Sequence, residues 1–417
     1  MCGVIAVNRV AEVIVVGGGV TGCAVAYELA KRSVSVLLLD KSLPGRATSA
    51  SAGGLWPIGE AVGLGCGVIY HAAQSNGEWG NGSHPALLPA AFRDFLVASS
   101  ARFPALAVEL RELSGIDIEY APGIGLIFVA YDEAEWAFVQ RVALTLPAGT
   151  SLEMLSAAEA IRLEPRLTPE LRGAALLPGE HQVNPMLLAE AYKRAALRQG
   201  AAFRHDVRVT ALRRRGDRVT GVAIGDEFVP CRTVVNAAGA WAGELAATVG
   251  LELPVAPVRG QIVLTETLPP LLNGCLSTSH CYLAQKLHGE VLIGSTTEHA
   301  GFDVSVTPEA IRSLCAGAVR VVPCLQQVRI KRTWAGLRPG TPDELPILGH
   351  VSELGGYINA AGGFRTGIVA APLTGEVVAQ VIAGEHTSCP IEPFLMERFQ
   401  PRRGIAGEAR KSAALPA

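Results

Sequence analysis

The spacing of apolar residues changes along the chain and marks out its elements. Residues 13–16 form an unbroken apolar run that stops at Gly17-Gly18-Gly19. Val20, Cys23, Ala24, Tyr27 and Ala30 then recur on one helical face, and a second apolar run over 34–39 ends at Asp40. Strand, tight turn, helix and strand of these lengths predict a βαβ unit of a parallel sheet. The helical period returns over 90–113, after Pro85 and Pro89, and over 132–146, after a strand at 125–129; a third helix is predicted at 187–199. Runs at 207–212 and 219–224 flank Arg213-Arg214-Arg215-Gly216-Asp217 and predict a hairpin with a charged turn, with a buried strand at 233–237 after it. From 261 to 294 the pattern is strand-rich, clearest at Ile262-Val263-Leu264 and Val291-Leu292-Ile293. Residues 308–321 read as helix and 357–361 as strand, and the Gly-rich turn that follows opens a last helix ending near Gly384. Pro372 must lie in the first turn of that helix or kink it.

In 417 residues, nucleotide-type βαβ pattern interrupted by strand-rich excursions predicts two domains. Composition excludes several classes. With 49% hydrophobic and 18% charged residues the chain is globular, and no apolar stretch reaches the roughly 18 to 20 residues that a bilayer crossing needs. A net charge of −2 offers no footprint for nucleic acid. The nine cysteines are spread singly, without a CxxC pair or histidines at zinc-finger spacing, so no metal site is expected. Met1-Cys2-Gly3-Val4-Ile5 lacks the basic start of a secretion signal, which predicts a cytoplasmic setting; peripheral association with the inner face of the cell membrane would come through partners. Residues 401–417 are expected to be a disordered tail.

The first turn carries chemistry. Gly17-Gly18-Gly19-Val20-Thr21-Gly22 is GxGxxG between a strand and a helix, with Asp40 eighteen residues on. Gly17 permits the turn, Gly19 lets a pyrophosphate approach the backbone beside Val20, and Gly22 lets helix pack on strand. Asp40, with Lys41 beside it, is placed to meet the adenosine ribose. The motif binds the ADP moiety that NAD and FAD share. Three further segments favour FAD. Arg46-Ala47-Thr48-Ser49-Ala50-Ser51-Ala52-Gly53-Gly54 combines hydroxyls with small residues, suiting a loop beside a pyrophosphate and a flat ring. Asn236-Ala237-Ala238-Gly239-Ala240-Trp241 ends a strand on small residues, as close passage beside a cofactor requires. Gly363-Phe364-Arg365-Thr366-Gly367-Ile368 opens the last helix, whose N–H groups suit the negative charge of a reduced flavin.

These motifs, in this order and joined by Trp334-Ala335-Gly336-Leu337-Arg338-Pro339, resemble the glycine oxidase and D-amino-acid oxidase-like family of flavoenzymes over nearly the whole chain. The resemblance implies an α/β fold: a Rossmann-like FAD-binding domain of glutathione-reductase type, discontinuous over 1–90, 150–250 and 334–400. A second α+β substrate domain over 91–149 and 251–333 would be built on a mostly antiparallel sheet. Within the family the chain resembles the C subunits of bacterial hydrogen cyanide synthases, through Ala52-Gly53-Gly54-Leu55-Trp56, Ile58-Gly59-Glu60, Leu64-Gly65-Cys66-Gly67-Val68-Ile69, Cys281-Tyr282-Leu283-Ala284-Gln285-Lys286 and Gly294-Ser295-Thr296-Thr297-Glu298.

That likeness implies FAD-dependent oxidation of glycine by hydride transfer, in two steps to cyanide and carbon dioxide. Electrons would leave through partner subunits of a hetero-oligomer carrying a second flavin or an iron–sulfur centre. The wider family leaves open a stand-alone oxidase that forms peroxide and a dye-linked dehydrogenase. By match to the family, Arg338 pairs with the substrate carboxylate, Tyr282 adds a hydrogen bond, Arg365 places charge near flavin and substrate, and Val209 or Val207 meets adenine. A guanidinium gives two parallel bonds to a carboxylate, which is the chemistry the assignment of Arg338 needs. Trp56 and Thr297 stand where the stand-alone glycine oxidases have glycine and methionine, so the pocket wall is expected to differ; the indole would shrink the site, cover the flavin or face a partner chain. His181 lies near where related multisubunit enzymes hold a second flavin, and reads otherwise as a loop histidine.

Overall fold

The computed structural model of the protein describes residues 11–65, 87–147 and 149–399. Val13–Val16, buried at all four positions, is the strand around which the first sheet is laid. It pairs in parallel with Val36–Asp40 on one side and Thr233–Asn236 on the other. Ala202–His205 and Leu354–Ala361 extend the parallel sheet outward on each side. With Arg218–Ile224, parallel to Leu354–Ala361, and the antiparallel strands Ala211–Arg215, Glu227–Pro230 and Ile347–Val351 it counts nine strands among the described residues. The helix Val20–Lys31 buries Val20, Cys23, Ala24, Tyr27 and Ala30, the face its spacing predicts, against Pro185–Arg198 and Gly367–Ala383. A β-carbon on Gly375 would come within 2.8 Å of the Ala24 backbone, so two of these helices meet main chain to main chain.

The second sheet has eight strands among the described residues. Its order is Ile330–Gly340, Ala256–Thr267, Glu290–Gly294, Tyr282–Gln285, Cys275–Ser277, Leu126–Ala130, Gly173–Leu177 and Glu153–Ser156. Every pair is antiparallel except Cys275–Ser277 with Leu126–Ala130. Helix Pro308–Val321 packs on its apolar face through Leu314, Ala318 and Val321.

Several expectations shift. The amphipathic stretch at 90–113 is two helices, Ala90–Ser100 and Phe103–Ser114, because Pro104 has no N–H with which to continue the ladder. Both pack against the first sheet's helices, Phe92, Phe95, Phe103 and Leu110 joining Tyr27 and Tyr192, and so belong with the nucleotide-side core. Conversely, Glu153–Ser156, Gly173–Leu177 and the whole of Ile330–Gly340 lie in the second sheet, so the chain crosses between sheets at points other than 91, 150 and 334. Amphipathic periodicity tells that a face is buried and not which sheet buries it. The hairpin pairs only from Ala211, residues 207–210 being loop. Pro372 lies beyond the first turn of Gly367–Ala383, and the adjacent Leu373 N–H donates to Ser99 Oγ at 3.1 Å. Among the described residues no helix is long and apolar enough to cross a membrane. Residues 1–10, Cys66, Gly67, Val68, Ile69 and the tail 401–417 lie outside those described.

Candidate active site

A cleft opens past the carboxyl ends of Val13–Val16 and Val36–Asp40 and continues onto the second sheet at Gly260, Ile262, Tyr282, Gly336 and Arg338. At its sheet end Gly17 has φ +113°, and a β-carbon there would lie 2.2 Å from Ala237 O, so both the turn and the neighbouring strand demand glycine. Helix Val20–Lys31 starts with Gly19 as N-cap and no side-chain cap, and the Val20 N–H donates to Thr48 Oγ1 at 3.0 Å. The positive end of a helix dipole thus faces a glycine-lined hollow, a cradle that fits a pyrophosphate. Asp40 Oδ1 accepts the Gly18 N–H at 3.0 Å, while Oδ2 accepts from Ser42 Oγ at 3.0 Å and Arg46 Nη1 at 2.9 Å. The carboxylate that would meet a ribose is already oriented by three donors.

Gly17, Gly19, Val20, Asp40, Lys41, Thr48, Ser51, Ala52, Gly54, Val209, Ala238, Gly239, Trp241, Gly363, Phe364, Gly367 and Ile368 line this cleft, and so does Val207. Four expected residues do not. Gly22 packs the helix on the turn, a β-carbon there meeting Gly17 O at 1.9 Å. Ser49 is exposed and donates to Arg46 O. Gly53, at φ +80°, has its Cα turned to Val183 O. Thr366 is buried, with Oγ1 donating to Gly363 O at 3.1 Å to close its own turn.

The far end gathers the other three. Arg338, on Ile330–Gly340, is partly buried; Nη1 donates to Thr296 O at 3.1 Å and Nη2 to Ser295 Oγ. The neighbouring acids are taken by another residue, since Arg259 pairs with Glu298 at 2.5 Å and with Asp303. Among the described residues no carboxylate pairs with Arg338. Tyr282, 5% exposed, stands edge-on to Trp56 with ring centroids 5.4 Å apart. A β-carbon on Gly294 would fall 2.4 Å from the Tyr282 hydroxyl, so that glycine makes the phenol's room.

Arg365 also lines the cleft, but it is no solvated loop arginine and its charge is largely compensated. Its side chain is 2% exposed and pairs with Glu60 at 2.6 Å and Glu344 at 2.5 Å. Trp56, 2% exposed, lines the cleft and lies flat against Gly54, so it forms part of the wall. Thr297 is exposed and contributes no wall. His181 lies in a two-stranded ribbon with Gly54–Leu55, edge-on to Tyr120, and burial lowers its pKa.

Sequence reasoning missed three supports. Gly260 was legible as an isolated glycine inside a strand pattern, which marks a close approach. Glu180, fully buried, accepts the Ile58 and Gly59 N–H groups at 2.7 and 3.1 Å and so fixes the turn after Trp56; burial pushes its pKa well above the ordinary carboxylate value. Lys286, partly buried, donates to Ala52 O and to Gln182 Oε1 at 2.8 Å, tying the second sheet to the loop at the cleft; desolvation pushes its ammonium down to about 8. No local pattern announces such cross-sheet partners.

Residues 12–381 match the family described as FAD dependent oxidoreductase. The chain is 46% identical over 407 residues to the hydrogen cyanide synthase subunit HcnC of Pseudomonas aeruginosa, covering 94% of this chain and 97% of that one. It is 36% identical to the glycine oxidase of Geobacillus kaustophilus, covering 94% and 98%. The crystal structure of glycine oxidase from Geobacillus kaustophilus superposes with a TM-score of 0.83 at 34% identity, covering 93% of this chain and 98% of that one. Together with the glycine cradle at the helix start, these matches make the chain a member of the DAO family of FAD-dependent oxidoreductases.

Proposed function

We propose that the protein is the flavin-bearing catalytic subunit of a hydrogen cyanide synthase, oxidising glycine in two successive steps to hydrogen cyanide and carbon dioxide. The observation that carries this reading is the Arg338 guanidinium, partly buried in the cleft and without a carboxylate partner among the described residues. A buried cation left uncompensated is costly, and a substrate carboxylate supplies the missing charge. FAD, when bound, supplies the acceptor for the hydride that leaves the α-carbon. The Gly17–Gly19 turn and Thr48 would hold its pyrophosphate, Asp40 its ribose, and Val207 and Val209 its adenine.

This chain's own side chains then do three things. Arg338 holds the carboxylate through paired charge-assisted bonds, its own position set by Thr296 O and Ser295 Oγ. The Tyr282 hydroxyl adds a neutral donor and, with Trp56, excludes water from that end. Trp56 occupies volume that an α-substituent would need, which favours glycine over larger amino acids. Arg365, fixed between Glu60 and Glu344, places a largely compensated cation at the same end. Oxidation of the neutral amine needs no protein base for the hydride step, its lone pair forming the C=N bond of an iminium ion as the hydride departs, and the proton on nitrogen is lost afterwards to solvent.

The higher identity to the synthase subunit supports electron exit to partner subunits, carrying a second flavin or an iron–sulfur centre, in a cytoplasmic assembly that touches a membrane only through those partners. Similarity to glycine oxidases supports a second reading, a self-sufficient oxidase. Anaerobic stopped-flow bleaching with glycine, sarcosine, proline and D-alanine, followed by cyanide assay, tests both. Bleaching by glycine with little peroxide in air is the expected result. Stoichiometric peroxide from the isolated chain would favour the oxidase, and no bleaching by any of the four would end both readings.

A further inference from the structure

We propose that the cavity between helix Pro308–Val321 and the turn at Thr278–Cys281 is a binding site for a small oxyanion, phosphate or carboxylate, separate from the flavin cleft. Its volume is about 240 Å³, room for a small organic anion with water rather than for a single ion. One wall is Tyr131, Thr278 and His280; the other is a single helix face bearing Arg312, Ser313, Ala316, Gly317 and Arg320. Small residues keep it open, since a β-carbon on Gly317 would already stand 3.0 Å from Cys281 Sγ.

Two of the donors, on Arg320 and Tyr131, have no acceptor among the described residues. The Arg320 guanidinium lies over the Tyr131 ring at 3.7 Å from its centroid, which covers one face and leaves the N–H edge for an acceptor; no carboxylate among the described residues pairs with it. Arg312 pairs with Glu309 on its own helix, both side chains at least 70% exposed, a contact weak enough for a bound anion to displace. Tyr131 Oη is buried with no hydrogen-bond partner among the described residues, and burial raises its pKa, so it presents an O–H donor for an added acceptor. The His280 ring is set by Ser279 Oγ, 2.8 Å from Nδ1. Glu135, beside Tyr131, already accepts the Tyr131 N–H at 2.7 Å and the Ser279 hydroxyl.

The test uses the flavin-loaded protein, titrated separately with inorganic phosphate and with malonate at constant ionic strength, chloride serving as control, and followed by calorimetry and thermal melting. Saturable binding of phosphate, malonate or both is expected, with affinity lowered roughly tenfold or more by Arg320→Ala and less by Arg312→Ala and Tyr131→Phe. Each variant should keep its flavin spectrum and its bleaching by amino acid. Which anion saturates tells a phosphate site from a carboxylate site. No saturable binding overturns the proposal, and so does binding that survives Arg320→Ala but is lost in Arg338→Ala, which would assign the anion to the cleft.

Discussion

The guanidinium of Arg338 fills the space that a side chain on Gly260 would occupy, Nη1 standing 2.3 Å from where the β-carbon would be. The two residues lie on paired antiparallel strands, Ala256–Thr267 and Ile330–Gly340, so the glycine gives the arginine its path across the strand to the cleft. Arg338→Ala should weaken amino-acid binding by roughly 10²-fold or more, the usual consequence of truncating one partner of a buried charge pair. Gly260→Ala should do nearly as much by displacing the guanidinium. Anaerobic bleaching titrations measure both, and an unchanged half-saturation in Arg338→Ala would remove the substrate assignment.

Trp56 closes the cleft beside Tyr282. Trp56→Gly should raise the bleaching rate with D-alanine relative to glycine by roughly 10- to 200-fold, the range that added methylene room allows in an apolar pocket. A ratio unmoved by the substitution would show that the indole does not set substrate size.

Arg365 and Glu60 form a pair with side chains only 2% and 6% exposed. Breaking it by Glu60→Gln leaves a buried charge short of a partner and should cost about 3–5 kcal/mol of stability. Denaturant unfolding of the flavin-loaded protein checks this, and a loss below about 1 kcal/mol would mean that Glu344 suffices.

Burial holds Lys286 at about 8 in the fold against an ordinary 10.5. Between these values the unfolded chain binds the extra proton and the folded one does not, so stability from this group rises as pH climbs from 8 to 10.5. The difference in unfolding free energy between the protein and Lys286→Met should therefore move by about 3 kcal/mol toward the lysine over that window. A flat difference would mean that the ammonium keeps its charge throughout.

Gly17→Ala places a β-carbon 2.2 Å from Ala237 O at a φ of +113°. The turn must shift, and the purified variant should lose most of its bound flavin. Absorbance between 350 and about 500 nm against protein reads this directly; full occupancy would show that the turn has slack.

The sequence by itself determined what depends on neighbours along the chain. The GxGxxG turn, Asp40 at the next strand's end, the amphipathic helices and the apolar strand runs follow from local sterics and from periodicities that need no distant contact. The family likeness then pointed to Arg338, Tyr282 and Arg365. Only the tertiary structure decided which of these charges is free. Arg259, Arg338 and Arg365 look alike in sequence, yet Glu298 and Asp303 compensate the first and Glu60 and Glu344 the third, leaving Arg338 alone among the described residues. It also decided that the helices over 90–114 cover the first sheet, and that Lys286 and Glu180 sit beneath the cleft. Charge compensation and burial are set by residues far apart in the chain, and no local pattern encodes them.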